Sequence, residues 1–247
     1  MPILSSIIFY PIISGIVLLF LNKIISDKFI KILSVAVATI IFMLSISLTL
    51  NFDANSSMMQ FTEVYTWLPQ LHIYYALGVD GFAVPLIVLT CFMGLIVFIA
   101  AFSSVKEQVA RYCATFLIMQ GLMCGVFMAM DAILFYIFFE AMLIPMFLII
   151  GIWGGQQRVY ATIKFFLYTF LGTVFLLIAI LFLHSISIKN GYSSASLFSI
   201  DSFAGILSCC TSISIKLPPV KSIPRFKRHI PSMIRLAITS TADSPNH

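Results

Sequence analysis

Apolar residues fall in long unbroken blocks along this chain, with polar and charged residues confined to the gaps between them. A helix crosses a hydrocarbon core of ~30 Å with about 20 such residues. Six blocks reach that length: Ile3–Leu21, Ile32–Leu50, Phe82–Phe102, Tyr112–Met130, Ala132–Trp153 and Tyr160–His184. A seventh, Phe203–Leu217, has 15 residues and stops against Pro218 and Pro219, which predicts a partial helix. The connector 51–81 holds two aromatic and β-branched runs, Phe61–Trp67 and Leu71–Tyr75, on either side of Leu68-Pro69-Gln70. That spacing predicts a short hairpin with Pro69 in its turn. The predicted fold is an all-α polytopic membrane protein: six full transmembrane helices, a partial seventh, and a short outer β-hairpin.

Composition agrees and adds an orientation. The 247 residues are 61% hydrophobic and only 9% charged, with a mean hydropathy of +1.08. A soluble domain carries about 25% charged residues, so a water-facing surface is excluded and lipid is the main solvent. Lysine and arginine orient spans toward the cytoplasm. Connectors 22–31, 103–111 and 154–164 carry them, whereas 51–81 has Asp53, Glu63 and Asp80 but neither base. The turn at Asp131 has none and 185–202 has Lys189 alone. The alternation predicts an N-terminus outside. Met1–Leu21 lacks the basic start of a secretory signal, so the first block is expected to be a retained helix. The five cysteines form no CxxC pair and read as small hydrophobes.

The candidate chemistry is sparse. Glu140 is the ninth residue of its 22-residue block, ~12 Å from the outer end and ~20 Å from the inner one at 1.5 Å per residue. A charge at that depth costs about 2.5–3.5 kcal/mol and normally faces protein or a water-filled cavity. Its functional reading is a carboxyl that exchanges protons or pairs with a buried base; its structural reading is a carboxyl hydrogen-bonded to a neighbouring helix. Pro145, five residues on, removes a backbone donor and can open the helix there. Two lysines are candidate partners. Lys164, near the inner end of the sixth block, reads equally as a snorkelling interfacial residue. Lys216 is followed by Leu217 and Pro218, the pattern of a broken helix whose free backbone groups line a polar cavity. His72 lies among aromatics and reads as a surface or packing residue. Phosphate-loop, haem, flavin and iron–sulfur signatures do not occur.

Phe135-Tyr-Ile-Phe-Phe-Glu-Ala-Met-Leu-Ile-Pro-Met146, continuing through Ile149-Ile-Gly-Ile-Trp-Gly-Gly155, resembles the proton-pumping antiporter-like subunits of respiratory complex I. Within that family it is most similar to the subunit M and chain 4 branch. The likeness extends to Tyr75-Ala-Leu-Gly-Val-Asp-Gly81 at the entry of the third helix, Lys164-Phe-Phe-Leu-Tyr-Thr169 in the sixth and Ile215-Lys-Leu-Pro218 in the seventh. It implies that Glu140 matches the family's essential helix-5 glutamate and Lys216 its helix-7 lysine, a coupling pair at one end of a proton channel, with Lys164 a further candidate. It implies membrane-arm neighbours, including sister antiporter-like subunits, and no contact with nucleic acid. NADH, FMN, iron–sulfur clusters and quinone would belong to partner subunits, leaving no cofactor in this chain. The wider family includes subunits of multisubunit sodium/proton antiporters; a non-catalytic membrane scaffold is a third reading. A bacterial inner membrane is expected, with the mitochondrial inner membrane as the alternative.

Three regions follow from the match: 1–129, an N-terminal transmembrane region; 130–218, the start of the proton-conducting domain; and 219–247, where the family pattern stops. Residues 1–218 carry a net charge of +1 and 219–247 carry +4, with four of the ten prolines. This tail is expected to be an out-of-frame or truncated readout; the competing reading is a native polybasic segment on anionic lipid.

Overall fold

The computed structural model describes residues 2–21, 25–53, 59–68, 73–105 and 107–189. The elements are α1 (Ile3–Leu21), α2 (Asp27–Leu50), β1 (Gln60–Leu68), β2 (Ile73–Val79), α3 (Ala83–Ser104), α4 (Val109–Met128), α5 (Ala132–Trp153) and α6 (Arg158–Lys189). All six helices are long and apolar enough to cross a membrane. The predicted seventh stretch, Lys216, the tail, and Pro69 and His72 lie outside the described residues.

Several predicted boundaries move, for one reason. Hydropathy marks where a helix leaves hydrocarbon, whereas hydrogen bonding decides where it ends. Thus α2 starts at Asp27 instead of Ile32, with Asp27, Lys28 and Lys31 in its first turns. Arg158 and Lys189, read as connector charges, lie inside α6. Met130, read as the end of the fourth span, instead donates its amide to the Ala76 carbonyl at 2.9 Å, and Ala129 forms a bridge with Leu77. Tyr75–Val79, read as the approach to the third helix, belongs to β2 and pairs antiparallel with β1.

α4 packs on α1, α2, α3 and α5 and is the most enclosed helix, with 61% of its spanning stretch buried against 11% in α6. Two glycines let α1 and α4 cross in close contact. A Cβ at Gly15 would sit 2.8 Å from the Ala114 carbonyl oxygen, and one at Gly121 would sit 2.6 Å from that of Ile8. Small residues at a crossing are how apolar helices associate where lipid gives no hydrophobic drive.

Helix ends are closed by side chains, two of them from distant segments. Glu63 on β1 accepts from the Leu4 amide (2.9 Å), the Ser5 amide (3.2 Å) and the Ser5 hydroxyl (2.5 Å), capping α1. Asp80 Oδ1 accepts from the Ala83 amide at 2.7 Å at the start of α3. Lys31 Nζ donates to the carbonyls of Phe102 (3.0 Å) and Val105 (2.7 Å), closing the other end of α3. Asp131 Oδ1 accepts from the Ile133 and Leu134 amides and caps α5. Burial raises the Asp131 carboxyl above the usual aspartate range, against the opposing effect of these amides and that of Tyr74. Hydroxyls within the spans bond back to their own helix, as Ser34 does to Ile30 and Thr162 to Arg158. Helix, cap and back-bond together leave few polar groups facing hydrocarbon unpaired among the described residues.

Candidate functional site

Glu140 lies eight residues from the start of α5 and thirteen from Trp153, ~12 and ~20 Å along the axis. Pro145 sits inside the helix, and α5 runs through it unbroken from Ala132 to Trp153. Proline has no amide to give the Ala141 carbonyl, so the backbone acceptor next to Glu140 lacks its helical donor.

The face of α5 that carries Glu140 is the face packed on α6. Phe147 and Gly151, seven and eleven residues on, share its stripe. Phe147 stacks edge-on against Phe166 with centroids 5.5 Å apart, and Gly151 lies under Thr162. Ala132 clusters with Ile180 at the other end of the pair. These contacts set an antiparallel register in which the level of Glu140 is that of Thr173. Thr173 lies on the same α6 stripe as Thr162, Phe166 and Ile180 and is 3% exposed. Its hydroxyl donates to the Phe170 carbonyl at 2.8 Å.

Glu140 Oε2 is buried without a hydrogen-bond partner. The expectation of a carboxyl hydrogen-bonded to a neighbouring helix therefore finds no bond at this oxygen. The site is a deep carboxylate on the α5–α6 seam, with one oxygen unpaired, a threonine hydroxyl at its level and a proline-freed carbonyl beside it.

Lys164 is not part of this seam. It lies nine residues before Thr173, two and a half turns, which puts it on the opposite side of α6. It is exposed, with Nζ over the rings of Tyr160 (5.8 Å) and Tyr168 (6.0 Å). Glu140 and Lys164 are not brought together, and Lys216 lies outside the described residues. Sequence reading passed over Thr173, because one hydroxyl in an apolar helix carries no signal until the register places it opposite a carboxylate.

Comparison with known proteins gives consistent results. Residues 8–130 match the family model for the amino terminus of NADH-ubiquinone oxidoreductase chain 4. Residues 129–219 match the transmembrane model of NADH:quinone oxidoreductase and Mrp antiporter proteins. NADH-quinone oxidoreductase subunit M of Rickettsia typhi is 42% identical over 192 residues, covering 75% of this chain and 38% of the relative. The subunit M of Rhodobacter capsulatus is 44% identical over 180 residues, covering 72% and 35%. Chain 4 of Arabidopsis thaliana is 40% identical over 179 residues, covering 72% and 36%. The chain thus spans little more than a third of the length of these curated relatives. In structure it is similar to a chain of respiratory complex I from Thermus thermophilus with bound NADH, at TM-score 0.68 and 26% identity over 82% of this chain and 38% of that one. A chain of an archaeal membrane-bound sulfane sulfur reductase shares the fold at TM-score 0.64 and 16% identity. Two abutting family models and six spanning helices make this a multi-pass membrane protein of the antiporter-like NADH:quinone oxidoreductase subunit family, subunit M and chain 4 branch.

Proposed function

We propose that the chain is a membrane-arm subunit of a proton-translocating NADH:quinone oxidoreductase in which Glu140 carries a proton in transit. The observation that supports this is the buried, unpartnered Glu140 oxygen at mid-span. A structural carboxyl in hydrocarbon is expected to be paired, because an unpaired one is costly. A carboxyl that must exchange its partner is left with a vacant oxygen when that partner is away. Lys216, on the stretch after α6, is the partner the sequence offers. Approach of its ammonium favours the carboxylate and releases the Glu140 proton. Its withdrawal leaves a bare charge in a low-dielectric seam, which takes a proton up again. No electron passes through this chain in the scheme; hydride and electron transfer belong to partner subunits.

The orientation that fits is an N-terminus outside, with the hairpin and Asp131 on the outer face of a bacterial inner membrane. The antiporter reading is less favoured, since the relatives above bear oxidoreductase names. The scaffold reading leaves the deep carboxyl without a use.

The test is Glu140→Gln in membranes holding the assembled complex, with proton uptake measured by a pH-sensitive dye alongside NADH oxidation. Loss of most proton translocation with normal insertion on a native gel is expected, with Glu140→Asp retaining part. Normal translocation by Glu140→Gln would overturn the proposal.

A further inference from the structure

Cys91 of α3 and Cys124 of α4 meet inside the bundle. Both are fully buried free thiols, and their sulfurs lie 3.9 Å apart, in van der Waals contact. The seam is tight at this level. One turn away a Cβ at Gly94 would fall 2.5 Å from Oε1 of Gln120, so α3 and α4 approach closely beside the thiols. Cys91 is eight residues from Ala83 and Cys124 four from Met128, ~12 and ~6 Å along their helices, in the half nearer the hairpin. In the orientation proposed above that is the outer half, the side on which disulfides persist in bacteria.

The two sulfurs have different surroundings. The Ser45 hydroxyl and the Gln120 carboxamide both hydrogen-bond toward Cys91, whereas the partner of Cys124 is Cys91 itself. A carboxamide accepts from a thiol and donates to a thiolate, the nucleophilic form, so Gln120 serves Cys91 in both states. Gln120 also lines a groove of about 410 Å³ between α3 and α4, and its side chain stands between that groove and the Cys91 sulfur. A small uncharged molecule in the groove comes to Cys91 first. Packing alone asks for neither the contact between two thiols nor the polar pair around one of them.

We propose that Cys91 and Cys124 form a reversible disulfide when a peroxide enters the α3–α4 seam, Cys91 being oxidised first and Cys124 resolving it. The Cys91 sulfur attacks one oxygen of hydrogen peroxide, the O–O bond breaks, and the departing hydroxide leaves as water with the thiol proton. Cys91 is then a sulfenic acid. The Cys124 sulfur attacks the Cys91 sulfur, the S–O bond breaks, and the hydroxide leaves as a second water with the Cys124 proton. The two thiols lose two electrons, and the peroxide takes them. Closing from 3.9 Å to the ~2.05 Å of a disulfide asks for a shift of about 2 Å between side chains already in contact. The link spans 33 residues and ties α3 to α4 covalently, and a thiol reductant restores the pair. None of this passes through Glu140.

The test uses the full chain in its native membrane, with Cys209 and Cys210 replaced by serine in every sample so that each product has one assignment. Membranes are treated with hydrogen peroxide, free thiols are blocked with iodoacetamide in denaturing detergent, and the unreduced digest is read by mass spectrometry. The expected product is one peptide pair joined through Cys91 and Cys124, two hydrogens lighter than the sum of its parts, with both residues lost from the alkylated fraction. Dithiothreitol before blocking should return them. Cys113, buried on α4 with Ser34 beside it, has no thiol within reach among the described residues and should stay fully alkylated. Cys124→Ala should stop the reaction at a Cys91 sulfenic acid, trapped by dimedone, and Cys91→Ala should leave Cys124 an unreacted thiol. Full alkylation of both residues after peroxide would overturn the proposal. So would a linkage of either to Cys113, or dimedone on Cys124 in the Cys91→Ala variant. These readouts follow two sulfurs and not protons, so they are independent of the proposed function.

Discussion

Ser5 and Glu63 meet at the first turn of α1, where the Ser5 hydroxyl and amide both donate to Glu63 Oε2. The contact ties a β-strand to a helix 58 residues earlier in the chain, and the Leu4 amide completes it at Oε1. A carboxylate there meets both the orphan amides and the positive end of the helix dipole. Glu63→Ala is expected to cost about 1–2 kcal/mol, the usual worth of an N-terminal cap. Glu63→Gln should fall between, because its amide nitrogen can donate but not accept. Thermal unfolding in detergent checks the order Glu, Gln, Ala.

Asp131 gives a pH-dependent prediction. Its folded-state carboxyl is raised above the ordinary range by burial, so folding favours the protonated form. The stability it contributes is complete below the unfolded value and is lost as pH rises through the folded one. Asp131→Asn keeps an Oδ1 acceptor for the Ile133 and Leu134 amides and carries no charge. It is expected to gain stability relative to the parent as pH rises above the unfolded aspartate value of about 4, and to show no such gain below it. A constant difference across the range would contradict this. Asp131→Ala should lose about 1 kcal/mol at low pH, where only the cap is at stake.

Lys31 predicts a local effect. Its ammonium serves the carbonyls of Phe102 and Val105 at the end of α3 and lies 6.0 Å from the Phe102 ring centroid. Lys31→Met keeps the stem and removes the charge. A loss of ~1 kcal/mol is expected from the carbonyl and dipole interactions. Hydrogen exchange should quicken at the Val105 amide, which closes the last turn onto Ala101. Unchanged exchange there would mean that water serves these carbonyls equally well.

Gly121 sits where α4 touches the α1 backbone. A methyl group there would lie 2.6 Å from the Ile8 carbonyl oxygen, and a backbone atom cannot rotate away. Gly121→Ala should cost about 1–3 kcal/mol by overpacking and lower the unfolding midpoint. Gly155, with open space around its notional Cβ, is the control: Gly155→Ala should leave the midpoint unchanged.

The spans and the hairpin were legible in the sequence because length and apolar continuity are what a bilayer selects. Glu140 was legible because a carboxylate in such a block is expensive. Other features arise from contacts between distant segments, and their residues look ordinary in sequence. Lys31 counts as one more cytoplasmic base until Val105, 74 residues on, is found beside it. Glu63 reads as a connector acid, although it caps a helix that precedes it. The start of α2 lies before the apolar block because Asp27, Lys28 and Lys31 end that block without ending the helix.

Thr173 carries the last prediction. The register of α5 on α6 brings it to the level of Glu140 on the facing stripe, 3% exposed, with its hydroxyl turned to the Phe170 carbonyl. The expectation is that this hydroxyl turns to the carboxylate while Glu140 is charged and its counter-cation is away. A hydrogen bond to a charged group is worth about 1.5–3 kcal/mol, about tenfold or more in the lifetime of the charged intermediate. Thr173→Val, equal in shape and lacking the hydroxyl, should slow proton translocation by about that factor if this state lies on the path. Thr173→Ser should restore much of the rate, whereas a packing role would be served better by valine. Thr169, one turn earlier with its hydroxyl on the Phe165 carbonyl, is the matched control, and Thr169→Val should leave the rate within about twofold. The double variant Glu140→Gln with Thr173→Val decides whether the two act together. Once the carboxylate is gone the hydroxyl has no charge to serve, so the double variant should be no slower than Glu140→Gln alone. Additive losses would place Thr173 outside the proton path and return it to helix packing.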